Sequence, residues 1–306
     1  MNEVTVRRLF DERSYATLRS LTTLVATPGE AEIMITTWGS PPVDVAAAPR
    51  VRAVFHGAGS IRGLISDACW DRGIVVVSAA AANAVPVAEF TLASIVYAGK
   101  RIPWYTRTYA ACPGRAWEGR VHVPSASNHR RVVGLVGLSR VGARVLELLR
   151  PFDFEVLVAD PYAVPAPGFT LAGLDELLRR SDIVSLHAPL LPETRHMIDA
   201  RRLALMPDGA TLINTARGGL VDTDALVREL VTGRLHAILD VTDPEPLPPD
   251  SPLFGLPNVQ LTPHISGSLG TETQRLGALV VAELKRYLTG RPLLHQVRRE
   301  DLGRLA

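Results

Sequence analysis

The stretch RVVGLVGLSRVGARVLELLRPFDFEVLVAD, residues 131–160, decides the fold of this chain. An apolar run over 132–138 leads into a glycine turn, and an amphipathic segment with one apolar stripe follows over 141–149. A second apolar run over 155–159 is closed by Asp160. The order of strand, tight turn, helix and strand predicts one βαβ unit.

The turn GLSRVG, residues 137–142, is an imperfect form of the GxGxxG pattern, because Ser139 takes the place of the middle glycine. Glycines here allow a tight turn and close packing, and the N-terminus of the following helix favours a pyrophosphate. Asp160 ends the next strand, where a carboxylate accepts hydrogen bonds from ribose hydroxyls and repels a 2′-phosphate. The pattern therefore favours NAD over NADP. The alternative is a plain strand-to-helix turn in another doubly wound domain.

Composition limits the classes of protein to which the chain can belong. Its 306 residues are enough for two domains, and 47% hydrophobic with 21% charged residues is typical of a globular protein. A net charge of +2 argues against a nucleic-acid partner. The two cysteines, Cys69 and Cys112, have neither metal-site nor disulfide-framework spacing, so no metal is expected. The start of the chain lacks a signal or transit pattern, so we expect a cytoplasmic protein without a membrane partner.

Strands and helices are predicted to alternate along both halves of the chain. The predicted strands outside the central unit are 24–27, 33–36, 51–56, 74–78, 183–187, 210–215, 237–241 and 259–262. The predicted helices are 84–100, 174–180, 199–204, 222–232 and 271–288. Continuous rather than alternating strand hydrophobicity indicates a doubly wound parallel sheet covered on both faces. The arm 101–130 has no clear period and is expected to wrap a second subunit.

A loop of small residues, HGAGS at 56–60, follows one strand of the first half. Backbone N–H groups in such a loop can bind an anion such as a carboxylate. A plain strand-to-helix turn is the alternative interpretation.

Three side chains of catalytic type follow strands of the second half: Arg217, Glu245 and His264. Arginine binds a carboxylate and the neighbouring carbonyl oxygen with a fixed fork of donors. Histidine transfers a proton near neutral pH, and a glutamate beside it favours the imidazolium. Each residue alone has a structural alternative: a surface ion pair, an exposed loop acid and a buried histidine. Their occurrence after strands of one sheet favours a shared catalytic crevice.

The chain resembles the D-isomer-specific 2-hydroxyacid dehydrogenases. The resemblance rests on the following motifs: GAGSI, NAVPVAEF, VVGLVGLSRVG with Asp160, SLHAPLLPETRHMI, LINTARGGLVDTDAL and LDVTDPEPLPPDSPLFGLPNVQLTPHISGS, within residues 51–295.

The resemblance implies a chain of two domains and usually a homodimer. A Rossmann-type NAD-binding domain would occupy 99–285. A smaller flavodoxin-like substrate domain, formed by 1–98 and 286–306, would close over the cleft.

The resemblance also implies roles for individual residues. Arg217 would orient substrate, Glu245 would pair with His264, and His264 would be the acid/base. The amides of Ala58 and Gly59 would bind the substrate carboxylate together with Arg217 and His264. Asp240 would hold the nicotinamide carboxamide. The residues expected at the cofactor are Gly137, Ser139, Arg140, Val141, Gly142, Asp160, His187, Pro189, Thr194, Thr215, Ala216, Arg217, Asp240, His264 and Gly267.

Three departures from the family pattern stand out. Ser139 adds a side chain near the phosphates, Thr242 replaces an aromatic residue, and the start of the chain predicts no clear first strand. The expected activity is hydride transfer between NAD(H) and a small anionic 2-oxo/2-hydroxy acid. The alternatives are the same scaffold acting on formate, phosphite or a phosphonate, and a non-catalytic NAD(H)-sensing protein.

Overall fold

The structure is a computed structural model and describes residues 3–111 and 126–303. The α-helices are α1 (Glu3–Leu9), α2 (Glu12–Leu21), α3 (Asp67–Asp71), α4 (Ala80–Gly99), α5 (Ile102–Ala111), α6 (Arg140–Leu149), α7 (Leu174–Arg180), α8 (Ala200–Leu203), α9 (Thr223–Val231) and α10 (Thr273–Leu288). The strands are β1 (Ile33–Thr36), β2 (Ala53–His56), β3 (Val75–Ser78), β4 (Val132–Val136), β5 (Glu155–Ala159), β6 (Thr170–Leu171), β7 (Ile183–Leu186), β8 (Thr211–Asn214), β9 (His236–Leu239), β10 (Val259–Leu261) and β11 (Gln296–Val297).

The chain divides into two compact units. One is formed by the chain up to Pro86 together with the chain from Gly267 onward, and the other by Val87–Ser266. The predicted domain boundaries, after residues 98 and 285, lie closer to the C-terminus than the boundaries between these two units, which follow Pro86 and Ser266. The final helix α10 accounts for the second difference, because its residues Leu276, Val280 and Leu284 pack in one cluster with residues of α1, α2, β2 and β3.

The second unit contains a seven-stranded sheet in the order β10-β9-β8-β7-β4-β5-β6, in which every neighbouring pair is parallel. Helices cover both faces. Residues of α4 and α6 pack on one face beside Val133 and Leu135 of β4, and residues of α7 and α9 pack on the other. The doubly wound α/β fold predicted from 131–160 is confirmed.

The first unit contains a smaller sheet in the order β1-β2-β3-β11. The first three strands are parallel, and the short β11 adds antiparallel to β3. Within the described residues no strand precedes Ile33, since the two helices α1 and α2 form this part of the chain.

Two predicted segments differ from the structure. The strand expected over 24–27 is wrong, because this segment pairs with no strand and Leu24 and Val25 are exposed. The arm 101–130, expected to lack a clear period, contains the helix α5. Residues 112–125 lie outside the described residues, so the contact of this arm with a second subunit stays a prediction.

Among the described residues, one helix has the length and apolar composition of a membrane span, namely α4. Core helices of globular proteins share both properties. Ala88, Ile95 and Ala98 of α4 are buried against residues of the large sheet, which is the packing of a core helix.

Candidate active site

The glycine turn after β4 is built by close backbone contact. Gly137 has a φ of 93°, and a Cβ atom placed there would lie 2.7 Å from Ala188 N. A Cβ on Gly142 would overlap the carbonyl oxygen of Gly137. Only glycine fits at both positions, so the turn closes tightly and α6 begins at Arg140.

Ser139, the departure from the glycine pattern, is the N-cap of α6. Its backbone is extended, and its hydroxyl accepts a hydrogen bond from Gly142 N at 3.5 Å. The N–H groups of Arg140 and Val141, in the first turn of the helix, have no intrahelical acceptor by the geometry of an α-helix. The turn therefore offers donors and the positive end of a helix dipole to a phosphate.

Asp160 lies directly after β5 and bridges two loops. Its Oδ2 accepts from Leu138 N at 2.6 Å and its Oδ1 from Tyr162 N at 2.7 Å. A carboxylate has about four acceptor sites, so positions remain for two ribose hydroxyls. Together with the glycine turn and the helix terminus, this carboxylate fits the adenosine half of NAD.

The loop after β7 packs against the glycine turn, because the backbone of His187 and Ala188 lies next to Gly137. His187 is buried, and its ring bonds the hydroxyl of Ser185 at 3.0 Å. Burial lowers the pKa of His187 to about 3, so the ring is neutral near pH 7. Further along, Thr194 Oγ1 donates to Pro189 O at 2.6 Å and fixes the end of this loop. Contact of these residues with the cofactor stays a prediction.

Asn214, which the sequence analysis missed, organises the loop that carries Arg217. Its side-chain amide donates to Arg217 O at 2.8 Å and accepts from Ala216 N at 3.1 Å. The guanidinium of Arg217 is half-buried and donates to Ala216 O at 2.6 Å. Thr215 is buried, with its hydroxyl 2.9 Å from that of Thr91. An asparagine at the point where a strand ends and a loop begins is the sequence signal of such an Asx turn, because its side chain can accept from the N–H two residues further on.

Gly218 brings this loop against the next one. A Cβ atom on Gly218 would overlap the backbone carbonyl of Thr242, so the two loops touch backbone to backbone. The hydroxyl of Thr242 donates to Pro244 O at 2.8 Å, within the segment that leads to Glu245.

Asp240 holds the segment that carries His264. Its carboxylate is almost completely buried and accepts from Thr262 Oγ1 at 2.6 Å, Ile265 N at 2.8 Å and Ser266 N at 2.9 Å. These three donors leave one acceptor position of the four on a carboxylate, enough for one carboxamide N–H.

Glu245 and His264 form a hydrogen-bonded pair at the end of the sheet. Their Oε1 and Nδ1 atoms are 2.6 Å apart, and both side chains are close to half exposed. His264 itself has a φ of 55°, a left-handed conformation that is uncommon outside glycine. Because a carboxylate only accepts, Nδ1 carries the proton and Nε2 is left to exchange a proton with a bound molecule.

The remaining predicted residues lie in the first unit. Ala58 is completely buried and Gly59 partly buried in the loop after β2. Gly267 packs there against Asn83, whose Oδ1 accepts from Ser268 N at 2.9 Å. The role of each of these residues stays a prediction. No group of three or more metal-ligating side chains occurs among the residues that the structure describes.

Comparison with known proteins gives the family. The model of the D-isomer specific 2-hydroxyacid dehydrogenase, NAD binding domain, matches residues 92–266. The chain is 36% identical over 251 residues to a D-3-phosphoglycerate dehydrogenase of Mycobacterium bovis, covering 80% of this chain and 47% of that protein. It is 37% identical over 225 residues to a glyoxylate reductase of Thermofilum pendens, covering 72% and 66% respectively. The chain thus spans about half the length of the phosphoglycerate dehydrogenases it matches.

Solved structures give the same result. The TT0316 protein of Thermus thermophilus superposes with a TM-score of 0.77 at 33% identity, covering 94% of this chain and 90% of that one. A D-isomer specific 2-hydroxyacid dehydrogenase of Xanthobacter autotrophicus, solved with NADPH and MES, superposes with a TM-score of 0.76 at 27% identity, covering 93% of each chain. The sequence resemblance is confirmed: the chain belongs to the D-isomer specific 2-hydroxyacid dehydrogenase family, and residues 92–266 are its NAD-binding domain.

Proposed function

We propose that the protein is an oxidoreductase that transfers hydride reversibly between NAD(H) and C2 of a small 2-oxo or 2-hydroxy acid. The observation that carries the proposal is the 2.6 Å pair of Glu245 and His264, in loops that follow β9 and β10 of the NAD-binding domain. A hydride transfer to a carbonyl needs an acid at the oxygen, and this pair orients the ring through Nδ1 while Nε2 is left to donate the proton.

NADH, when bound, supplies the hydride to C2. The chain's own residues donate the proton to the C2 oxygen and stabilise the charge of the proton donor. His264 donates the proton from Nε2 to the C2 oxygen, which becomes the hydroxyl, and the negative charge of Glu245 stabilises the imidazolium until that transfer. In the oxidative direction the neutral ring takes the same proton back.

Arg217 is proposed to bind the substrate carboxylate and the C2 oxygen. The Asn214 hydrogen bonds fix its backbone, which reduces the entropy lost on binding. The backbone N–H groups of the loop 57–60, in the first unit, are proposed to bind the substrate carboxylate together with Arg217.

NAD is proposed as the cofactor in preference to NADP. The support is Asp160, whose negative charge disfavours a 2′-phosphate.

We further propose that the protein is cytoplasmic and forms a homodimer that involves the arm 101–130. Light scattering of the purified protein tests the dimer.

The test of the function is NADH consumption with a panel of 2-oxo acids, compared with His264→Ala. We expect turnover by the wild-type chain and a loss of about a hundredfold to ten-thousandfold in the variant, with NADH binding retained. His129→Gln, a substitution of an exposed histidine elsewhere in the second unit, is the matched control. Near-normal turnover by His264→Ala would contradict the proposed role, and NADH binding without any turnover would favour a sensing protein.

A further inference from the structure

A large aromatic side chain is displayed at the end of the first strand of the smaller sheet. Trp38 is 50% exposed and occupies the second position of a tight turn after β1. Ser40 N donates to Thr37 O at 3.1 Å, and Gly39 in the third position has a φ of 77°, as in a type II turn. The hydroxyl of Ser40 also accepts from Thr37 N at 3.0 Å. The turn is therefore rigid, and it holds the indole in solvent.

This turn lies beside the loop 57–60. Strands β1 and β2 are parallel neighbours in which Thr36 pairs with His56, so the residues after them continue side by side. The hydroxyl of Thr37 donates to Gly57 O at 3.3 Å and joins the two loops directly.

The loop 57–60 has the features of a built anion site. Its carbonyl oxygens are held by side-chain donors: Ser78 Oγ donates to Gly59 O at 2.6 Å and to Ala58 O at 3.4 Å. By contrast, the N–H groups of Ala58, Gly59 and Ser60 have no acceptor among the described residues. Ala58 is completely buried, whereas Gly59 and Ser60 are partly exposed. A buried peptide N–H group without a partner is rare, so the N–H of Ala58, together with its two neighbours, points to a bound acceptor such as a carboxylate.

The segments that surround this loop in the first unit carry few charged groups. The segments after β1, β2 and β3, residues 37–44, 57–66 and 79–86, all described, contain only two charged side chains, Asp44 and Arg62. Arg62 donates from Nη2 to Leu302 O at 2.7 Å. His56, under the loop, bonds Thr36 Oγ1 at 2.9 Å, and burial lowers its pKa to about 4, so it is neutral near pH 7.

We propose that the first unit selects 2-oxo acids with an uncharged, apolar side chain, and that the indole of Trp38 contacts that side chain while the 57–60 amides bind the carboxylate. In a 2-oxo acid the carboxylate carbon and the first side-chain carbon are two bonds apart, which suits two adjoining strand ends about 5 Å apart. The charged side chains of the three segments are Asp44 and Arg62, and Arg62 bonds Leu302 O, so the segments offer a phosphorylated side chain one cation and one repelling carboxylate. This inference rests on the proposed function and deepens it by naming the substrate class.

The experiment measures kcat/KM with three probes: glyoxylate, which has no side chain, phenylpyruvate and phosphohydroxypyruvate. We expect phenylpyruvate to exceed phosphohydroxypyruvate. Trp38→Ala lowers kcat/KM for phenylpyruvate about tenfold to a hundredfold and leaves glyoxylate nearly unchanged, because only the apolar contact is lost. Trp38→Phe retains most of the activity with phenylpyruvate. Phe254→Ala, the loss of an exposed aromatic in the second unit, and Arg62→Ala change none of the three values.

Several outcomes would overturn the proposal while the proposed function stands. These are a preference for phosphohydroxypyruvate, a loss of that activity in Arg62→Ala, and an equal effect of Trp38→Ala on all three probes or on none. Thermal melting of each variant excludes unfolding as the cause. Absence of turnover with every probe by the wild-type chain would instead overturn the proposed function and this selection with it.

Discussion

The orientation of His264 depends on a second carboxylate besides that of Glu245, the side chain of Asp240. The Asp240 carboxylate accepts from the hydroxyl of Thr262 and from the backbone N–H of Ile265, on either side of the histidine, and His264 N itself donates to Asp240 O at 2.9 Å. The left-handed backbone of His264 costs free energy, and these buried hydrogen bonds offset it. The imidazole is thus held by one carboxylate through the backbone and by Glu245 through the ring.

Glu245→Gln tests the contribution of the negative charge of Glu245. The amide keeps the size of the side chain and still bonds the ring, but it has no negative charge to stabilise the imidazolium. We expect kcat for reduction to fall about tenfold to a hundredfold, while the dissociation constant of NADH stays nearly the same. Steady-state kinetics and a fluorescence titration with NADH measure the two quantities.

The matched control is Asp250→Asn, which removes an exposed carboxylate from the same segment of chain. It is expected to leave kcat unchanged. A fall in kcat of equal size in both variants would mean that general charge, and not the pair with His264, is responsible.

At the level of elements, the N-terminus of α6 serves two requirements at once. The helix needs a cap for its first N–H groups, and a phosphate needs those same groups free. Ser139 meets the first requirement by accepting from Gly142 N, and its Cβ atom occupies space near the expected phosphate position. A glycine would serve the phosphate better and the helix slightly less well.

Ser139→Gly is therefore expected to bind NADH more tightly than the wild-type chain. Its free energy of unfolding should fall by only a few tenths of a kcal/mol, since glycine is an acceptable N-cap. Ser139→Ala keeps the Cβ atom and loses the hydroxyl, so it should lose about 1 kcal/mol of stability without any gain in affinity. A fluorescence titration with NADH and urea unfolding give both values. Equal NADH affinity of Ser139→Gly and the wild-type chain would show that the serine does not restrict the site.

The elements differ in how well the sequence predicts them. Most strands of the large sheet were predicted to within two residues, because buried parallel strands are continuous apolar runs. The helix α5 was missed since its period is obscured by aromatic and polar residues and none of its residues is buried. The segment 24–27 has the residue types of a strand but no neighbouring strand to pair with. Pairing is a tertiary property that a local pattern does not contain.

The residues of the candidate site also differ in how well the sequence predicts them. Glu245 and His264 were predicted as a pair from residue type and order along the chain, and the structure places their side chains in contact. The supports behind them, Asp240 and Asn214, act through hydrogen bonds to the backbone of distant or turning segments. Such bonds depend on backbone geometry, which a sequence motif does not specify.

At the scale of the whole molecule, burial lowers the pKa of three histidines among the described residues, all of them outside the proposed catalytic pair. His56 belongs to the first unit, and His187 and His236 belong to the second. Burial lowers their pKa values from an ordinary 6.5 to about 4, about 3 and about 4 respectively, and the charge of Arg101 adds to the effect on His236. All three are neutral in the folded chain at pH 7, and both units therefore share one source of acid sensitivity.

The expected consequence is a loss of stability below pH 6.5. As the pH falls from there toward 4, the unfolded chain binds protons at these histidines and the folded chain does not, so the free energy of unfolding decreases by up to about 1.4 kcal/mol per pH unit for each. Above pH 6.5 their contribution is fully present, and below the folded pKa values the loss levels off. Thermal melting between pH 8 and pH 5 measures the effect. His236→Gln should flatten the dependence, whereas His129→Gln, at an exposed position, should not; equal slopes in both variants and the wild-type chain would assign the acid sensitivity to other groups.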